Sequence, residues 1–586
     1  MDNNLYIIVN PGPNGADRQG EDLFAALVKE SRDLGVEEQV QIVFSGTFGP
    51  ADTAPSIKVK PGNTFYSNVD PSQAKDIIDA HVLNNAPCES LLKKEKAKRT
   101  RAKQCRIVLR NCGVIDPNSI DEYIARHGYE ALGKAICELG PDGVVEELRK
   151  SQLRGRGGAG FPSWKKWSFT KDVEADRKFV VCNADEGDPG AYMDRSTLEG
   201  DPHSIIEAMA ICGYTVGASE GVIYIRAEYP LAIRRLKNAI EQAKEYGLLG
   251  EKIMGSDFSF DIEIRLGAGA FVCGEETALI ASAEGERGMP TPRPPFPAVK
   301  GLWGCPTVIN NVETWANIPV ILLKGGDWFA SIGTETSKGT KVFALTGKVN
   351  TSGLVEVPMG TTLREVIFDI GGGIPGDAEF KAVQTGGPSG GVIPESLIDT
   401  PIDYEGLQKL GSIMGSGGMI VMDENDCMVD VSRFYLEFTV DESCGKCAPC
   451  RIGGRTLYNM LGEVAKGRAD EKTVGKMRDV SIAMQRASLC GLGQSAPNPV
   501  LSVLEHFESE FMAHIADKRC PAGVCKELLT FNIIPDKCIG CTLCARRCPV
   551  NCIDGGHREV HVIDQSRCIK CGECVAACKF GAVERI

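Results

Sequence analysis

Two runs of closely spaced cysteines constrain the fold of this chain more than any other feature of its sequence. Each run follows the pattern Cys-x2-Cys-x2-Cys-x3-Cys, and the second begins thirty residues after the first: Cys538, Cys541, Cys544 and Cys548, then Cys568, Cys571, Cys574 and Cys578. Three thiolates at two-residue gaps can hold one side of a cubic iron–sulfur cluster, while the fourth of each run reaches the other cube. The spacing therefore predicts two [4Fe-4S] clusters with crossed ligands: Cys538, Cys541, Cys544 and Cys578 for one, and Cys548, Cys568, Cys571 and Cys574 for the other.

This duplicated pattern is typical of a bacterial ferredoxin. A pair of zinc ribbons is the alternative, but a zinc site needs only four ligands and leaves crossed quartets unexplained. Lys579 stands where a second Cys-Pro would be expected, which changes the local turn without removing a ligand. We therefore expect a ferredoxin-like domain with two clusters at this end of the sequence.

A third quartet lies upstream and consists of Cys444, Cys447, Cys450 and the more distant Cys490. Three close thiolates and one remote thiolate suffice for another [4Fe-4S] cluster, and zinc is the alternative. The segment between them, Thr456 to Met484, is rich in helix-forming residues and has apolar positions at helical spacing. The sequence therefore predicts a small helical domain around a third cluster.

Cys520 and Cys525 fit none of these quartets. Together with His514 and His561 they would complete a tetrahedral Cys2His2 zinc site. Cys552 or His557 would serve in place of either histidine. Two packed thiols beside surface histidines remain the alternative.

The length and charge of the chain restrict its number of domains and its kinds of partner. With 586 residues it is too long for one hydrophobic core, and its net charge of −13 disfavours nucleic acid as a partner. The start, Met1 to Asn4, does not resemble a secretory signal, and the best apolar stretch, Ile318–Leu323, is far shorter than a membrane-spanning helix. We expect a soluble, cytoplasmic protein without a transmembrane segment, in which many cysteines indicate metal or redox chemistry.

Four polar or glycine-rich segments precede the cysteine-rich region. Arg154–Pro162 contains G-x-G-x-x-G without the strand and helix of a dinucleotide-binding fingerprint, so either ligand contact or a flexible loop is consistent with it. Cys182–Gly190 follows the predicted strand Phe179–Val181, where open α/β sheets bind ligands. Gly267–Thr277 precedes a predicted helix whose first amides could receive a phosphate. Val308–Thr314 offers amide side chains and a hydroxyl.

These segments carry a family resemblance. From about Gln104 to Val500 the chain resembles the NADH-oxidising flavoprotein subunit of respiratory complex I and its relatives in NAD-linked hydrogenases and formate dehydrogenases. The matching motifs are RGRGGAGFP, CNADEGDPGAYMDR, GAGAFVCGEETALI, PRPPFPAVKGLWGCPTVINNVET and SCGKCAPCRIG. The added ferredoxin domain and N-terminal extension are more similar to the beta subunit of multimeric bifurcating [FeFe]-hydrogenases.

The resemblance implies a Rossmann-like domain that binds FMN and NAD(H). By that resemblance the flavin pocket is lined by Gly155, Gly157, Gly158, Lys166, Asn183, Asp185, Glu186, Gly274, Glu275, Glu276, Asn310, Asn311 and Thr314. Phe161, Phe169 and Phe296 would flank the adenine, and Glu276, the candidate catalytic residue, would lie near the nicotinamide. The predicted cofactor set also contains Phe271, Asp188 and Arg293. Relatives carry glutamate at the position of Asp188 and lysine at that of Arg293, so the preference for NAD or NADP stays open.

The first hundred residues predict a thioredoxin-like layer. The segments Leu5–Val9, Leu23–Leu34, Val40–Phe44, Ser56–Val59, Phe65–Val69 and Ala74–Leu83 read as strand, helix, strand, strand, strand and helix. Relatives carry four cysteines here for a [2Fe-2S] cluster, but Cys88 is the only cysteine before residue 100, and the expected ligand loops at residues 10–15 and 45–49 contain no thiol. We expect no [2Fe-2S] cluster in this domain, which a basic linker, Lys93–Arg99, joins to the next.

The predicted fold is multidomain α/β and α+β. Its five parts are a thioredoxin-like domain (1–92), the FMN and NADH domain with its linker (93–340), a β-grasp module of the SLBB kind (341–425), a helical [4Fe-4S] domain (426–515), and the zinc candidate with the ferredoxin domain (516–586).

The resemblance also implies partners. They are a hydrogenase-type or other terminal catalytic subunit, a small [2Fe-2S] thioredoxin-like subunit, and soluble ferredoxin as a candidate acceptor. Flavin is expected to convert hydride into single electrons for the clusters. The same module in a formate dehydrogenase, or a non-catalytic electron-wiring subunit, is the alternative, and the sequence does not decide whether electrons are bifurcated.

Overall fold

The computed structural model describes residues 5–12, 18–47, 53–92 and 104–585. The described residues form two compact units. The first contains the chain up to Asp377 with Ala382–Val421 and Leu489–Leu492, and the second contains Ala378–Lys381, Met422–Ser488 and the chain from Gly493. Among the described helices, none is long and apolar enough to cross a bilayer.

A small α/β layer forms the first part of unit one. Its elements are β1 (Leu5–Asn10), α1 (Arg18–Asp33), β2 (Val40–Phe44), β3 (Ser56–Lys60), β4 (Thr64–Tyr66) and α2 (Ala74–Ile78), which a π-helical turn extends to Leu83. The strand order is β2-β1-β3-β4, with β1 parallel to β2 and antiparallel to β3. Ile7 and Val59 are buried with Leu23 of α1 in one core. The element order is the one that the sequence predicts.

Some predicted features fall outside the described residues. These are the linker Lys93–Arg99 and parts of the two loops expected to carry cluster ligands, at residues 13–15 and 48–49.

A parallel sheet surrounded by helices forms the second part of unit one. Its elements are α3 (Ile120–Ile124), α4 (Glu130–Lys134), α5 (Gly140–Ser151), α6 (Ser163–Asp172), β5 (Phe179–Ala184), α7 (Met193–Gly200), α8 (Pro202–Val216), β6 (Glu220–Arg226), α9 (Pro230–Glu245), β7 (Asp261–Gly267), α10 (Glu276–Ala283), β8 (Thr307–Asn311), α11 (Val312–Lys324) and α12 (Gly326–Ala330). The four strands are parallel and ordered β7-β6-β5-β8. The central strand β5 is apolar because parallel strands are covered on both faces.

The strand order reverses at β5. From β5 the chain proceeds to β6 and β7 on one side and then returns with β8 on the other. Open α/β sheets bind ligands at the carboxyl ends of the strands that flank such a reversal. The fold therefore points to the ends of β5 and β8 as the ligand site.

Arg235 fastens the first layer to the parallel-sheet domain. Its side chain is only 1% exposed and donates hydrogen bonds to the carbonyl oxygens of Phe44 and Glu199. A Cβ on Gly46 would lie 2.7 Å from the Cα of Gly200, so the two backbones touch. The layer is thus packed directly on α7 and α9.

A mixed sheet follows in the chain. Its elements are β9 (Thr340–Gly347), β10 (Gly353–Pro358), β11 (Phe380–Thr385), β12 (Val392–Pro394), α13 (Tyr404–Lys409) and β13 (Gly418–Asp423). The order is β10-β9-β13-β11-β12, with β13 parallel to β9 and both end pairs antiparallel. Short strands broken by glycine and proline are what the sequence predicts here.

Helices dominate the next region. They are α14 (Met428–Asp441), α15 (Gly454–Ala465), α16 (Glu471–Ala487), α17 (Gly491–Ser495), α18 (Asn498–His506) and α19 (Glu508–Ile515). Asp470 caps α16 by accepting a 3.0 Å hydrogen bond from the amide of Thr473. Val474, Met477 and Met484 are buried at helical spacing along α16, as the sequence predicts.

The last module has internal two-fold repetition. Its elements are β14 (Phe531–Ile533), α20 (Leu543–Arg547), β15 (Ile553–Asp554), β16 (Val562–Ile563), α21 (Glu573–Ala577) and β17 (Val583–Arg585). β14 pairs with β17 and β15 with β16, both antiparallel. Each half of the duplicated sequence therefore supplies one strand to each of the two strand pairs.

Candidate functional site

The polar segments of the sequence meet at the ends of β5 and β8. Asn183 and Asn311 are paired neighbours on the two strands, and Cys182 pairs with Asn310. Asn183 donates to the carbonyl oxygen of Gly274 at 2.9 Å, which brings the loop after β7 to the same place. Three of the four predicted segments therefore form one site.

The glycine-rich loop is the fourth. The amide of Arg156 donates to Oγ1 of Thr314 at 2.8 Å, which fixes the loop above the start of α11. A Cβ on Gly157 would lie 3.1 Å from the Cβ of Asn311, and Gly158 has a φ of +118°. Side chains at these positions would fill the space above the strand ends or strain the backbone. The loop is held in place and is not a loose surface loop.

Buried carboxylates lie beneath this loop. Glu186 accepts hydrogen bonds from the amides of Asp194 and Arg195 at 3.1 and 3.0 Å. Burial outweighs these bonds and raises the pKa of Glu186 to about 7. Burial and the charges of Glu186 and Glu313 also raise the pKa of Asp194 well above its usual range. The site therefore holds at least one proton near neutral pH.

Glu276 has the opposite environment. Burial favours its neutral form, but Lys166 at 3.3 Å and Arg293 at 2.5 Å together lower its pKa below the usual range. Lys166 also donates to the carbonyl oxygen of Ile309 in β8 at 2.9 Å. Glu276 is thus an ionised carboxylate fixed between two cations.

The expectation that the first amides of α10 receive a phosphate is not met. The carboxylate of Glu275 accepts hydrogen bonds from the amides of Thr277 and Ala278 at 2.9 and 3.1 Å, so it caps the helix itself. The sequence motif suggests a ligand role for Glu275 and does not reveal its position as the N-cap.

The three phenylalanines that the resemblance assigns to the adenine are exposed. Phe161, Phe169 and Phe296 are 43%, 52% and 55% exposed, which is unusual for phenylalanine. Phe271 packs against the backbone of Gly187, where an added Cβ would lie 2.7 Å from its ring. Exposed rings of this kind suit the faces of a planar heterocycle.

The mixed sheet also contributes to the site, which the sequence does not reveal. Ser416 donates a hydrogen bond to Asp188, and its carbonyl oxygen accepts one from Lys341 at 2.7 Å. Lys341 is fully buried and ion-paired with Glu313, while Tyr404 donates to the carbonyl oxygen of Gly155 at 2.7 Å. These contacts join residues far apart in sequence, so no local motif marks them.

The ferredoxin-like module contains two cavities that match the crossed quartets. One is lined by Cys538, Cys541, Cys544 and Cys578. The other is lined by Cys548, Cys568, Cys571 and Cys574. The amides of Ala582 and Cys552 each donate to the fourth cysteine of a run, Cys578 and Cys548, at 3.3 Å. The structure thus brings the cysteines of each ferredoxin quartet to one cavity, as the spacing predicts.

The upstream cysteines lie in the helical region. Cys444 and Cys447 are half-buried before a π-helical turn, Pro449–Gly453, that contains the buried Cys450. The hydroxyl of Ser443 is 3.3 Å from the sulfur of Cys450. The fourth predicted ligand, Cys490, is buried directly before α17.

A separate buried group in unit two changes the predicted zinc ligands. Cys427, His514, Cys520 and Cys525 are all buried, and their ligand atoms lie within 4.8 Å of one another. His514 Nε2 is 3.4 Å from the sulfur of Cys427 and 3.3 Å from that of Cys525. Cys427 replaces His561 in the predicted set.

The prediction for His561 is therefore wrong. Its Nδ1 lies 3.9 Å from the sulfur of Cys538, in the ferredoxin-like module. The substitutes considered from sequence do not join the group either: Cys552 lines the second ferredoxin cavity and His557 is exposed.

Fold and sites together define a class. A parallel sheet with a phosphate-compatible glycine loop at its switch point, joined to cysteine quartets, defines a nucleotide- or flavin-binding iron–sulfur oxidoreductase subunit.

Comparison with known proteins gives the family. The Nuo51 FMN-binding domain matches residues 148–320, the iron-sulfur binding region of NADH-ubiquinone oxidoreductase-F matches 430–514, and a 4Fe-4S dicluster domain matches 530–582. The chain is 59% identical to NADP-reducing hydrogenase subunit HndC of Solidesulfovibrio fructosivorans, over 83% of this chain and 99% of that protein. It is 45% identical to an F-type subunit of NADH-quinone oxidoreductase from Rhizobium meliloti, over 71% and 99%.

A solved structure is also similar. The NAD+-reducing [NiFe]-hydrogenase in the H2-reduced state matches with a TM-score of 0.63 at 28% identity, over 87% of this chain and 85% of that chain. The chain belongs to the family of FMN-binding, iron–sulfur NADH oxidoreductase subunits that includes HndC and the F-type subunits of NADH-quinone oxidoreductase.

Proposed function

We propose that this chain oxidises NADH at the ends of β5 and β8 and delivers single electrons to three [4Fe-4S] clusters. The observation that carries the proposal is the meeting of four distant segments at the switch point of the sheet, with Asn183 beside Asn311 and Gly157 above them. When bound there, FMN accepts a hydride and releases its electrons one at a time.

The residues at this point fit a flavin. Gly155, Gly157 and Gly158 leave room for its ring and phosphate, and the amides of Asn183, Asn310 and Asn311 offer donors and acceptors for its polar edge. By the family resemblance, Asp185, Glu186, Gly274 and Glu275 would also line the pocket. Thr314 supports the glycine loop through the amide of Arg156.

NADH lies over the flavin in this proposal. The exposed rings of Phe161, Phe169 and Phe296 receive the adenine, and Glu276 positions the nicotinamide half. The pair of cations around Glu276, Lys166 and Arg293, keeps that carboxylate ionised while a charged nucleotide enters. Arg293 is also the position at which NAD and NADP preference would be tested first.

The clusters are assigned to three quartets. Two are the quartets that line the ferredoxin cavities, and the third is Cys444, Cys447, Cys450 and Cys490. The short amide-to-sulfur hydrogen bonds at Cys548 and Cys578 suit ligand thiolates. The N-terminal layer carries no cluster and serves for docking in a larger complex.

We assign a zinc ion to Cys427, His514, Cys520 and Cys525. Three thiols and one imidazole within 4.8 Å, all buried, match a closed structural zinc site. Elemental analysis of the purified chain should give about one zinc per chain, and Cys427→Ser should release most of it. Cys137→Ser, an exposed cysteine in the other unit, is the matched control. Zinc that stays at full occupancy in Cys427→Ser would refute this ligand set.

The partners follow from the family. A terminal catalytic subunit of a hydrogenase-type complex and a small [2Fe-2S] subunit would exchange electrons with this chain, and soluble ferredoxin would be a further acceptor at the ferredoxin-like module. In electron bifurcation, electrons pass to two acceptors of different potential. The partner subunits of the complex decide whether this chain serves two such acceptors.

Flavin loading combined with NADH tests the proposal. The purified chain, reconstituted with FMN, should bind about one flavin and reduce a viologen dye with NADH. Gly157→Val should abolish flavin binding because the new side chain would fill the space above Asn311, whereas Gly462→Val, with no atom near its Cβ, should retain it. Full flavin occupancy without any NADH-dependent dye reduction would instead establish a non-catalytic electron-wiring subunit.

A further inference from the structure

His561 is a buried histidine that neither the zinc group nor the predicted quartets use. It is 1% exposed and lines the cavity formed by Cys538, Cys541, Cys544 and Cys578. Its Nε2 is buried and has no hydrogen-bond partner among the described residues. A polar ring in such a place requires a function, because burying an unpaired polar atom is costly.

The other ring nitrogen is oriented by the backbone. Nδ1 of His561 is 3.1 Å from the carbonyl oxygen of Glu559. Because a carbonyl oxygen can only accept, Nδ1 carries the hydrogen. The same nitrogen is 3.9 Å from the sulfur of Cys538, so the N–H that it donates to Glu559 also lies beside a predicted cluster ligand.

The internal repeat shows what the other half has at this position. Residues thirty apart correspond in the two halves, so His561 corresponds to Phe531, and Ile563 to Ile533. Phe531 lines the second cavity just as His561 lines the first, and it is 2% exposed. One cavity therefore has an apolar ring where the other has a polar one.

The difference between histidine and phenylalanine at this position affects the reduction potential of the neighbouring cluster. An N–H dipole close to a ligand sulfur stabilises the more negative, reduced form of an iron–sulfur cluster and raises its reduction potential. A phenyl ring at the same place provides no such dipole. The two halves have the same ligand spacing, but this position makes the surroundings of their clusters different.

We infer that His561 is a positioning residue that raises the potential of the cluster held by Cys538, Cys541, Cys544 and Cys578 above the value a phenylalanine would give. The inference rests on the proposed cluster ligands. Each cluster would take up one electron without making or breaking a bond.

The test is an anaerobic redox titration of the full-length holoprotein, followed by electron paramagnetic resonance at one fixed pH. His561→Phe copies the ring of the other half, so it is expected to fold. One reduction step should shift to lower potential and the others should stay in place. The reciprocal Phe531→His should shift a different step, to higher potential. His557→Phe, which changes an exposed histidine of the same segment, is the matched control and should shift none.

Three results would overturn the inference: no shifted step in His561→Phe, an equal shift of all steps, or the same shift in His557→Phe. A wild-type protein with full iron and all its reduction steps keeps the cluster assignment intact in each of those cases. Absence of the ferredoxin-type signals from wild type would instead overturn the proposed clusters themselves.

Discussion

Lys341 is a buried charged residue that joins the mixed sheet to α11 beside the flavin site. It is fully buried, ion-paired with Glu313, and donates to the carbonyl oxygen of Ser416 at 2.7 Å. Lys341→Met would leave Glu313 as an unpaired buried charge, which costs about 3–5 kcal/mol. We expect flavin release at a clearly lower temperature, measured by flavin fluorescence on heating.

The control is Lys348→Met, which changes an exposed lysine just after the same strand. Its effect should stay within about 0.5 kcal/mol. Equal flavin-release temperatures for the two variants would show that the buried pair does not stabilise the site.

Glu186 gives the apoprotein a pH-dependent stability. Its pKa in the folded chain is about 7, because of burial, against an ordinary value of 4.5. The folded state therefore keeps a proton that the unfolded state releases, and the free energy of unfolding falls as the pH rises through this window. Stability from this group is fully present at the acid end and is lost above about pH 7.

Glu186→Gln should flatten that slope, because an amide does not titrate. The measurement is the unfolding temperature of the apoprotein at several pH values from about 5 to 8. Part of the slope should remain, since the pKa of Asp194 is raised as well. If Glu186→Gln left the pH dependence of the unfolding temperature unchanged, the assignment of the proton to Glu186 would be contradicted.

At the scale of elements, helix α9 contacts the N-terminal layer through the buried side chain of Arg235. Arg235→Leu would remove donors from the buried carbonyl oxygens of Phe44 and Glu199, at about 1–3 kcal/mol for each group left unpaired. Hydrogen exchange of β1 and β2 should become faster. Lys237→Leu, which changes an exposed residue of the same helix, should leave exchange unchanged. Protection that survives in Arg235→Leu would show that other contacts hold the layer.

What the sequence predicts about elements depends on the range of the interactions. The strands and helices of the first layer follow from local apolar alternation and helical spacing, so their order is predicted correctly. The cap formed by Glu275 on α10 is not predicted, because a glutamate before a helix is not a usual cap signal. The mixed sheet is predicted as strands, but its contact with Asp188 through Ser416 is not, since 228 residues separate them.

The cysteine sites show the same limit. The ferredoxin quartets come together as predicted, because short spacing and the duplication restrict where each thiol can be. Cys427 is absent from the predicted zinc set since it lies 87 residues before His514. Closeness in sequence to Cys525 suggests zinc for His561, but the fold places it with Cys538 instead.

At the scale of the whole molecule, a flavin domain and three predicted cluster sites share one chain. The flavin domain and two iron–sulfur regions correspond to the family matches, and together these account for most of the chain after residue 148. The N-terminal layer is the part with the least predicted chemistry, since Cys88 is its only cysteine. The chain is thus built to take electron pairs at one site and deliver them singly at others.

Anaerobic titration of the full-length holoprotein with NADH tests this electron route most directly. We predict about one FMN and ~12 irons per chain, four for each cube, with flavin bleaching followed by reduced-cluster resonance signals as NADH is added. A holoprotein with full flavin and iron in which NADH neither bleaches the flavin nor reduces any cluster would contradict it.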